Sequence, residues 1–540
     1  MTVLLRRSTE LPPATGWRQW VSIGAEPAGL DPVSRRPGLE SELEQAFDAA
    51  ALHWLALGKL LGAEASAVLA HAPSAAPNPS DLGLMMAWSG LVDAWAAEAA
   101  TTLVVCDDPW LFRHLQRRPG IRAGSSPQLW CRRLRLALRG LASRLAYAVS
   151  AARLAWTQRG MAASLPTKAP SLLVYGHPRS TAEGTDAYFG DLMARQPGVV
   201  RLLHVDARGE RLNRLSVPGR TVSLHGFGSP AAALALPLAR WKPAAAALAG
   251  EWSWLVRRAA ALEGGTAQAA AIAWQLHCQS RWLARARPPV VAWPWENHGW
   301  ERDFVRAARR AGVRTIGYQH SVIGRQMLNY AADSNPDGAA SLPDHILCTG
   351  AATLNQLSRW GVPAERLEVG GARRPFSLAG VRFDPAAPVY VALPFDAPVA
   401  AEMVQAARAA AGPDRHFVVK DHPMTPFAFA ESEGLTRTIR GLGETEAVSA
   451  VVFAATTVGL EATLMGLPTL RFRPWGRIAL DILPDGVEVP ATSGASLAAD
   501  LGRLQALSPP AREAIFAAVD EAVWSRLLSA PPVNRGADVP

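Results

Sequence analysis

Short apolar runs, each ending on polar or ionisable residues, recur along this chain, and longer segments with apolar side chains three and four apart lie between them. TTLVVCDD (101–108), SLLVYGHP (171–178), VVRLLHVDA (199–207), PPVVAWPWE (288–296), VRTIGYQHS (313–321) and PDHILCTG (343–350) form a first series. A second consists of PVYVALPF (388–395), HFVVKDHP (416–423), AVVFAATT (450–457) and LPTLRF (467–472). Consecutive apolar residues need cover on both faces. Parallel strands receive it from the helices that connect them, and periods such as WERDFVRAARRAG (300–312) supply those helices. The alternation predicts an α/β chain.

The turn-rich GGARRPFSLAG (370–380) divides the two series and predicts two facing Rossmann-like parallel-sheet domains. The first covers residues 1–375, with a helical start and a basic helical insert at 128–165. The second covers 376–530, and the Pro-rich tail 531–540 is expected to be disordered. Within the insert, CRRLRLALRGLASRLAYAVSAARLAWTQRG (131–160) is apolar at helical spacing and studded with Arg132, Arg133, Arg135, Arg139, Arg144, Arg153 and Arg159. Two readings stay open. The segment either lies in the headgroup layer of an anionic membrane with its arginines snorkelling, or forms core-facing helices with a solvated basic side.

Arginine accounts for almost all of the net charge of +9, since Lys59, Lys168, Lys242 and Lys420 are the only lysines. Such a charge suits anionic partners. No basic stripe interleaved with aromatics is present, so nucleic acid is not among the expected partners. Cys106, Cys131, Cys278 and Cys348 lack metal-ligand spacing, which points to reduced thiols and no metal centre. The apolar run in MTVLLRRSTELPP is too short for a signal peptide, and nothing reaches the roughly 18 apolar residues of a membrane span. The expected location is cytoplasmic.

Open parallel sheets bind ligands beyond the carboxyl ends of their strands, so the residues just after each apolar run carry most of the functional information. In KDHP, Lys420 and His422 offer charge and imidazole donors to a phosphate, while Pro423 and Pro426 fix the exit path. Taken alone, this is equally a strand terminator with a hydrogen-bonded histidine. In ATTVGLEATLMGLP, Thr456 and Thr457 stand at a helix start, where hydroxyls and free amides receive anions. Gly459 leaves room for close approach, and Glu461 is placed to accept from ribose hydroxyls. Together the two motifs suggest one nucleotide site.

The pair resembles the His-Pro and paired-hydroxyl motifs of bacterial sialyltransferases, polysialyltransferases and Kdo transferases, with threonines where serines are common. CDP-glycerol transferases of teichoic-acid synthesis share a similar layout. RTIGYQHSVIG (314–324) and PDHILCTGAATLNQLSRWGVPAERLEVGGARR (343–374) are similar to other segments of these surface-carbohydrate enzymes, and the likeness covers roughly residues 285–475. It implies a GT-B fold, a CMP-activated acidic sugar such as Kdo or a sialic-acid-like sugar as donor, a glycan or lipid-linked glycan as acceptor, and no cofactor. An Asp/Glu-Asp-Gly base motif is missing.

The base is therefore sought in the first domain. WPWENHGWE (293–301) sets Glu296, Asn297 and His298 among tryptophans, an apolar setting expected to raise the Glu296 pKa and to offer aromatic walls to a sugar. An Asx-type turn is the competing reading. His320 is the next candidate, for the leaving phosphate or the acceptor; Asp107 and Asp108 are weaker candidates for the base. GHPRSTAEGTDAYFG (176–190), with His177, Arg179, Ser180 and Gly184, reads chiefly as a connection. These residues compose a single displacement with inversion at the anomeric carbon, with charge on the departing phosphate met by Lys420, His422 and the threonine helix start. CDP-glycerol or a UDP-sugar is the alternative donor. A non-catalytic glycan- or membrane-binding scaffold is the alternative of another class.

Overall fold

The structure is a computed structural model and describes residues 3–10, 15–24, 27–374, 380–423, 425–506 and 508–529. Three parallel sheets of four or more strands organise them. The first contains β1 (Val3–Arg6), β2 (Gln19–Ile23), β3 (Thr102–Cys106) and β4 (Ile121–Ala123), in the order β2-β3-β1-β4. The second contains β5 (Ser171–Val174), β6 (Val200–Leu203), β7 (Thr221–Ser223), β8 (Val290–Pro294), β9 (Arg314–Gln319), β10 (His345–Cys348) and β11 (Leu367–Val369), in the order β11-β10-β9-β8-β5-β6-β7. Of the remaining strands, β12 (Arg382–Phe383), β13 (Val389–Ala392), β14 (Phe417–Lys420), β15 (Leu435–Thr438), β16 (Ala447–Val448), β17 (Ala450–Phe453), β18 (Thr469–Phe472) and β19 (Ala491–Thr492), all but β12 and β16 form the third. Its order is β15-β14-β13-β17-β18-β19.

The expected α/β architecture with two large facing sheets is present. Both are buried on two faces: Leu173, Val291 and Trp293 of the second face one core while Leu172, Val290 and Ala292 face another, and β13 divides its side chains in the same way in the third. This double burial is why the strands read as unbroken apolar runs. Each order also reverses once. The chain winds outward from β5 to β7 and restarts at β8 beside β5, and it winds from β13 to β15 and restarts at β17 beside β13. Crossovers leave in opposite directions at these two points, so a crevice opens at the strand ends there.

The N-terminal region contains the expected helices, Leu39–Gly62 and Leu82–Trp95, and in addition the four-stranded sheet. TTLVVCDD is thus the centre of a separate sheet rather than the start of the large one, paired to β1 and β2. Asp107 and Asp108 go with it. Asp108 caps the helix Pro109–Leu115 and pairs with Arg258 at 2.6 Å, and Asp107 accepts from Ser8, so neither serves as a base. The N-terminal lobe is tied to both others through Glu44, whose buried carboxylate meets Arg471 of β18 at 2.7 Å and Arg325 at 3.0 Å.

The last helix, Glu521–Ser529, corrects the expected extent of the second domain. Trp524 stacks edge-on against Tyr318 of β9, so the chain returns to the second sheet before residue 530. The expected boundary at 375–376 and the tail 531–540 lie outside the described residues. The expected insert is one 35-residue helix, Leu129–Ala163.

Candidate active site

A cleft of about 550 Å³ lies between the carboxyl ends of the second and third sheets, where the two reversals face each other. Strand ends supply most of its walls. His177 follows β5, Glu296 follows β8 and His320 follows β9; opposite them Leu393 follows β13, the Lys420–Pro423 turn follows β14, and Thr456, Thr457 and Glu461 follow β17. The two motifs joined by inference therefore meet in one cavity, because β14 and β17 both flank β13.

Within the β14 turn the roles divide. Asp421 pairs with Arg437 and accepts from the Phe427 amide at 3.3 Å, so it anchors the loop. The Lys420 side chain, half-buried and lining the cleft, makes no hydrogen bond or ion pair to another described residue, while its carbonyl accepts from the Leu393 amide at 3.0 Å. His422 is half-buried, and burial lowers its pKa, so it brings a neutral imidazole beside the Lys420 charge. Further positive charge comes from two residues that carried little weight in the sequence. Arg374, on the connection between the sheets, and Arg179, after β5, both line the cleft and act on Glu461 across it. Burial raises the Glu461 pKa and the two arginines oppose that rise. His177 accompanies them as a base held down to about 4 by burial and by neighbouring arginines; Ser180 and Gly184 do not line the cleft.

The hydroxyl motif differs from expectation in two ways. Thr457, at the start of the helix Val458–Leu464, is itself in helical conformation and makes no side-chain cap bond, whereas the Thr456 hydroxyl accepts from the Val458 amide at a long 3.5 Å; both residues line the cleft. Ala455 just before them takes a left-handed φ of 45°, a strained conformation for a residue with a Cβ, and it turns the loop toward the cavity. Gly459 makes no room for a ligand. A Cβ there would lie 2.3 Å from the Phe453 ring, so the glycine is required by packing beneath the loop.

On the opposite wall, Glu296 is presented by a tight turn. Asn297 adopts φ 55° and, fully buried, donates to the Asn329 carbonyl at 2.7 Å and to Asn335 at 2.9 Å, while the Asn329 amide donates back to the Glu296 carbonyl. The Glu296 carboxylate accepts from His298 Nε2 at 2.9 Å. Burial works to raise its pKa, but that bond and the charges of His298, His320 and His71 prevail and hold it below the usual 4.5, the reverse of the expected direction. Some 39% of the side chain opens to the cleft, so water also offsets part of the burial penalty. His298 is held above 6.5, because Glu296, with Glu301 behind it, outweighs burial. It does not line the cleft; it stands behind Glu296 as a positioning residue. Glu301, which the sequence gave no reason to single out, is the carboxyl raised by burial, to about 7, while accepting from Trp293 and the Glu296 amide. His320 lines the cleft as expected, neutral because burial lowers it to about 4.

The aromatic walls are also other residues. Trp293, Trp295 and Trp300 are buried in the core, and Tyr330 and Tyr390 reach the cavity instead. The apolar cavity of about 580 Å³ between the helices Leu39–Gly62 and Leu82–Trp95 lies away from the large sheets. Convergent polar groups with displaced pKa values favour the interdomain cleft.

No protein-family model and no curated protein matches the chain. Among solved structures it is similar to Anabaena Alr3699/HepE in complex with UDP and glucose, at 12% identity over 62% of this chain and 89% of that one, with a TM-score of 0.34. A putative UDP-N-acetylglucosamine 2-epimerase from Listeria monocytogenes aligns at 12% identity over 64% and 93%, with a TM-score of 0.37. The glycotransferase of kitacinnamycin aligns at 13% over 66% and 92%, with a TM-score of 0.32.

Proposed function

We propose that this cleft binds a nucleotide-sugar and transfers its sugar to an acceptor hydroxyl by a single inverting displacement. One observation carries the reading: a lysine whose side chain has no hydrogen-bond or ion-pair partner among the described residues, two lining threonines and a carboxylate oriented by His298 share one interdomain cavity at the switch points of two parallel sheets. Glu296 takes the proton of the acceptor hydroxyl as that oxygen attacks the anomeric carbon. The bond from that carbon to the phosphate oxygen breaks, and its electron pair leaves with the nucleotide. Lys420, Arg374 and Arg179 meet the growing negative charge, with neutral donors from His422, Thr456 and Thr457. His298 keeps Glu296 ionised and aimed.

Cations on both walls support an acidic sugar on a CMP donor, since phosphate and sugar carboxylate then each find a partner. A surface glycan or lipid-linked glycan is the proposed acceptor. The test is thermal stabilisation by CMP, CDP, UDP and GDP, followed by nucleotide release from the matching sugar donors. Stabilisation by CMP and turnover of a CMP-sugar are expected. UDP or CDP alone acting would replace the donor, and stabilisation by none would leave a non-catalytic scaffold.

A further inference from the structure

The helix Leu129–Ala163 packs through one narrow face only: Gly140, Arg144, Tyr147, Ala148, Ala151, Ala155 and Ala162 are its buried residues. Beside that face runs a second apolar one that none of the described residues covers. Trp130, Leu134, Leu138, Leu141, Leu145 and Val149 are exposed, continued by Trp156 two turns on. At about 100° per residue these side chains fall within an arc of about 100°, along a helix of about 50 Å. Leu234 and Leu238, 81% and 79% exposed, widen the surface; their 3-10 segment Pro230–Leu238 is held to the helix by Arg144, which donates to the Pro237 carbonyl at 2.8 Å. So large an exposed patch marks an interaction surface.

Charge identifies the partner. The helix contains seven arginines and no acidic residue. Arg132, Arg135, Arg139 and Arg153 follow the far flank of the stripe, and none of them has an ion pair among the described residues. At the C-terminal end a pocket of about 340 Å³ is lined by Trp156, Arg159, Phe227, Arg281 and Arg285. Arg159 lies over the Trp156 ring and Arg281 donates to the Phe227 carbonyl; no carboxylate neutralises these arginines among the described residues. A second copy laid along the stripe would set arginine against arginine. Among the described residues no helix is long and apolar enough to cross a membrane, so an amphipathic helix such as this one could meet a bilayer only at its surface.

We propose that this helix docks the protein on an anionic bilayer, its Trp/Leu stripe sunk to the acyl boundary and a lipid phosphate held by Arg159, Arg281 and Arg285. The inference does not depend on the transferase reading. It is tested on the full chain by co-sedimentation with vesicles of phosphatidylcholine alone and with about a third phosphatidylglycerol, at low and high salt. Binding to the anionic vesicles that weakens with salt is expected. Leu138→Glu with Leu145→Glu should lower the partition coefficient about tenfold or more, and Arg281→Gln with Arg285→Gln should weaken the preference for the anionic lipid, the arginines along the stripe retaining part of it. The stripe variant should melt as the parent does, since Leu138 and Leu145 are solvent-facing, whereas the arginine variant gives up the bond from Arg281 to the Phe227 carbonyl and is assayed below its own melting temperature. Failure to bind anionic vesicles, or undiminished binding by the stripe variant, overturns the proposal. So does a dimer in light scattering that the stripe variant dissociates, which would assign the surface to self-association.

Discussion

Lys420→Gln separates ligand binding from folding. The side chain ends β14, half-buried, without a hydrogen-bond or ion-pair partner among the described residues, since Asp421 beside it is already taken by Arg437 and the Phe427 amide. Its removal therefore breaks no hydrogen bond or ion pair among those residues. A charge-assisted hydrogen bond to phosphate contributes about 1.5–3 kcal/mol, and each 1.4 kcal/mol is tenfold, so the nucleotide should bind roughly ten- to a hundredfold more weakly. The arginines on the facing wall keep the loss from being complete. At a nucleotide concentration about a hundredfold above the parent Kd, the parent gains about 2.7 kcal/mol, whereas a variant weakened a hundredfold gains about 0.4 kcal/mol. Melting with and without nucleotide reads both quantities. The expected result is an unchanged melting temperature without ligand and a stabilisation by nucleotide that falls from about 2.7 to between about 1.4 and 0.4 kcal/mol. Equal stabilisation of variant and parent would refute the role given to Lys420, and a large drop without ligand would show that its charge has an internal partner after all.

Further expectations bear on the opposite wall and the frame. Glu296→Gln should lower turnover about a hundredfold or more while nucleotide binding persists, measured by nucleotide release and by melting. Because Glu296 is held below 4.5 and His298 above 6.5, the pair's contribution is intact between those values. It is lost as pH falls through the depressed carboxyl value and as pH rises through the elevated imidazole value. His298→Gln should accordingly move the acid limb of the pH–rate profile upward, with burial of Glu296 no longer opposed; an unmoved limb would detach His298 from the base. Gly459→Ala should destabilise by about 1–3 kcal/mol through the Phe453 ring, seen in chemical denaturation. Glu44→Ala leaves the buried Arg471 with only its longer pairing to Asp481 at 3.6 Å and should destabilise by about 3 kcal/mol, the low end for a broken buried pair because that contact remains and Arg325 is 44% exposed to water.

What could be read in the sequence, and what could not, follows from the range over which each feature is determined. Strands of the two large sheets announce themselves locally, as apolar runs buried on both faces, and their terminal residues are fixed to the crevice by topology once the sheets are parallel. That is why Lys420, His422, Thr456 and Glu296 were legible as one site. Strands β1, β2 and β4 were not, being short and sheltered by residues distant in sequence; β1 pairs with β3 a hundred residues on. Functional direction fails to be local for the same reason. Tryptophans around Glu296 imply a dry carboxyl, yet those rings face the core, and the group that sets the charge of Glu296 is a histidine two residues away whose aim depends on the cap formed by Glu301. Arg374 shows the limit most clearly. Nothing within GGARRP distinguishes an arginine of a connecting segment from one of a binding site, and only the facing of two sheets, each assembled from its own half of the chain, brings it opposite Glu461. A residue whose role is created by the approach of two lobes can be predicted from sequence only after the lobes have been docked.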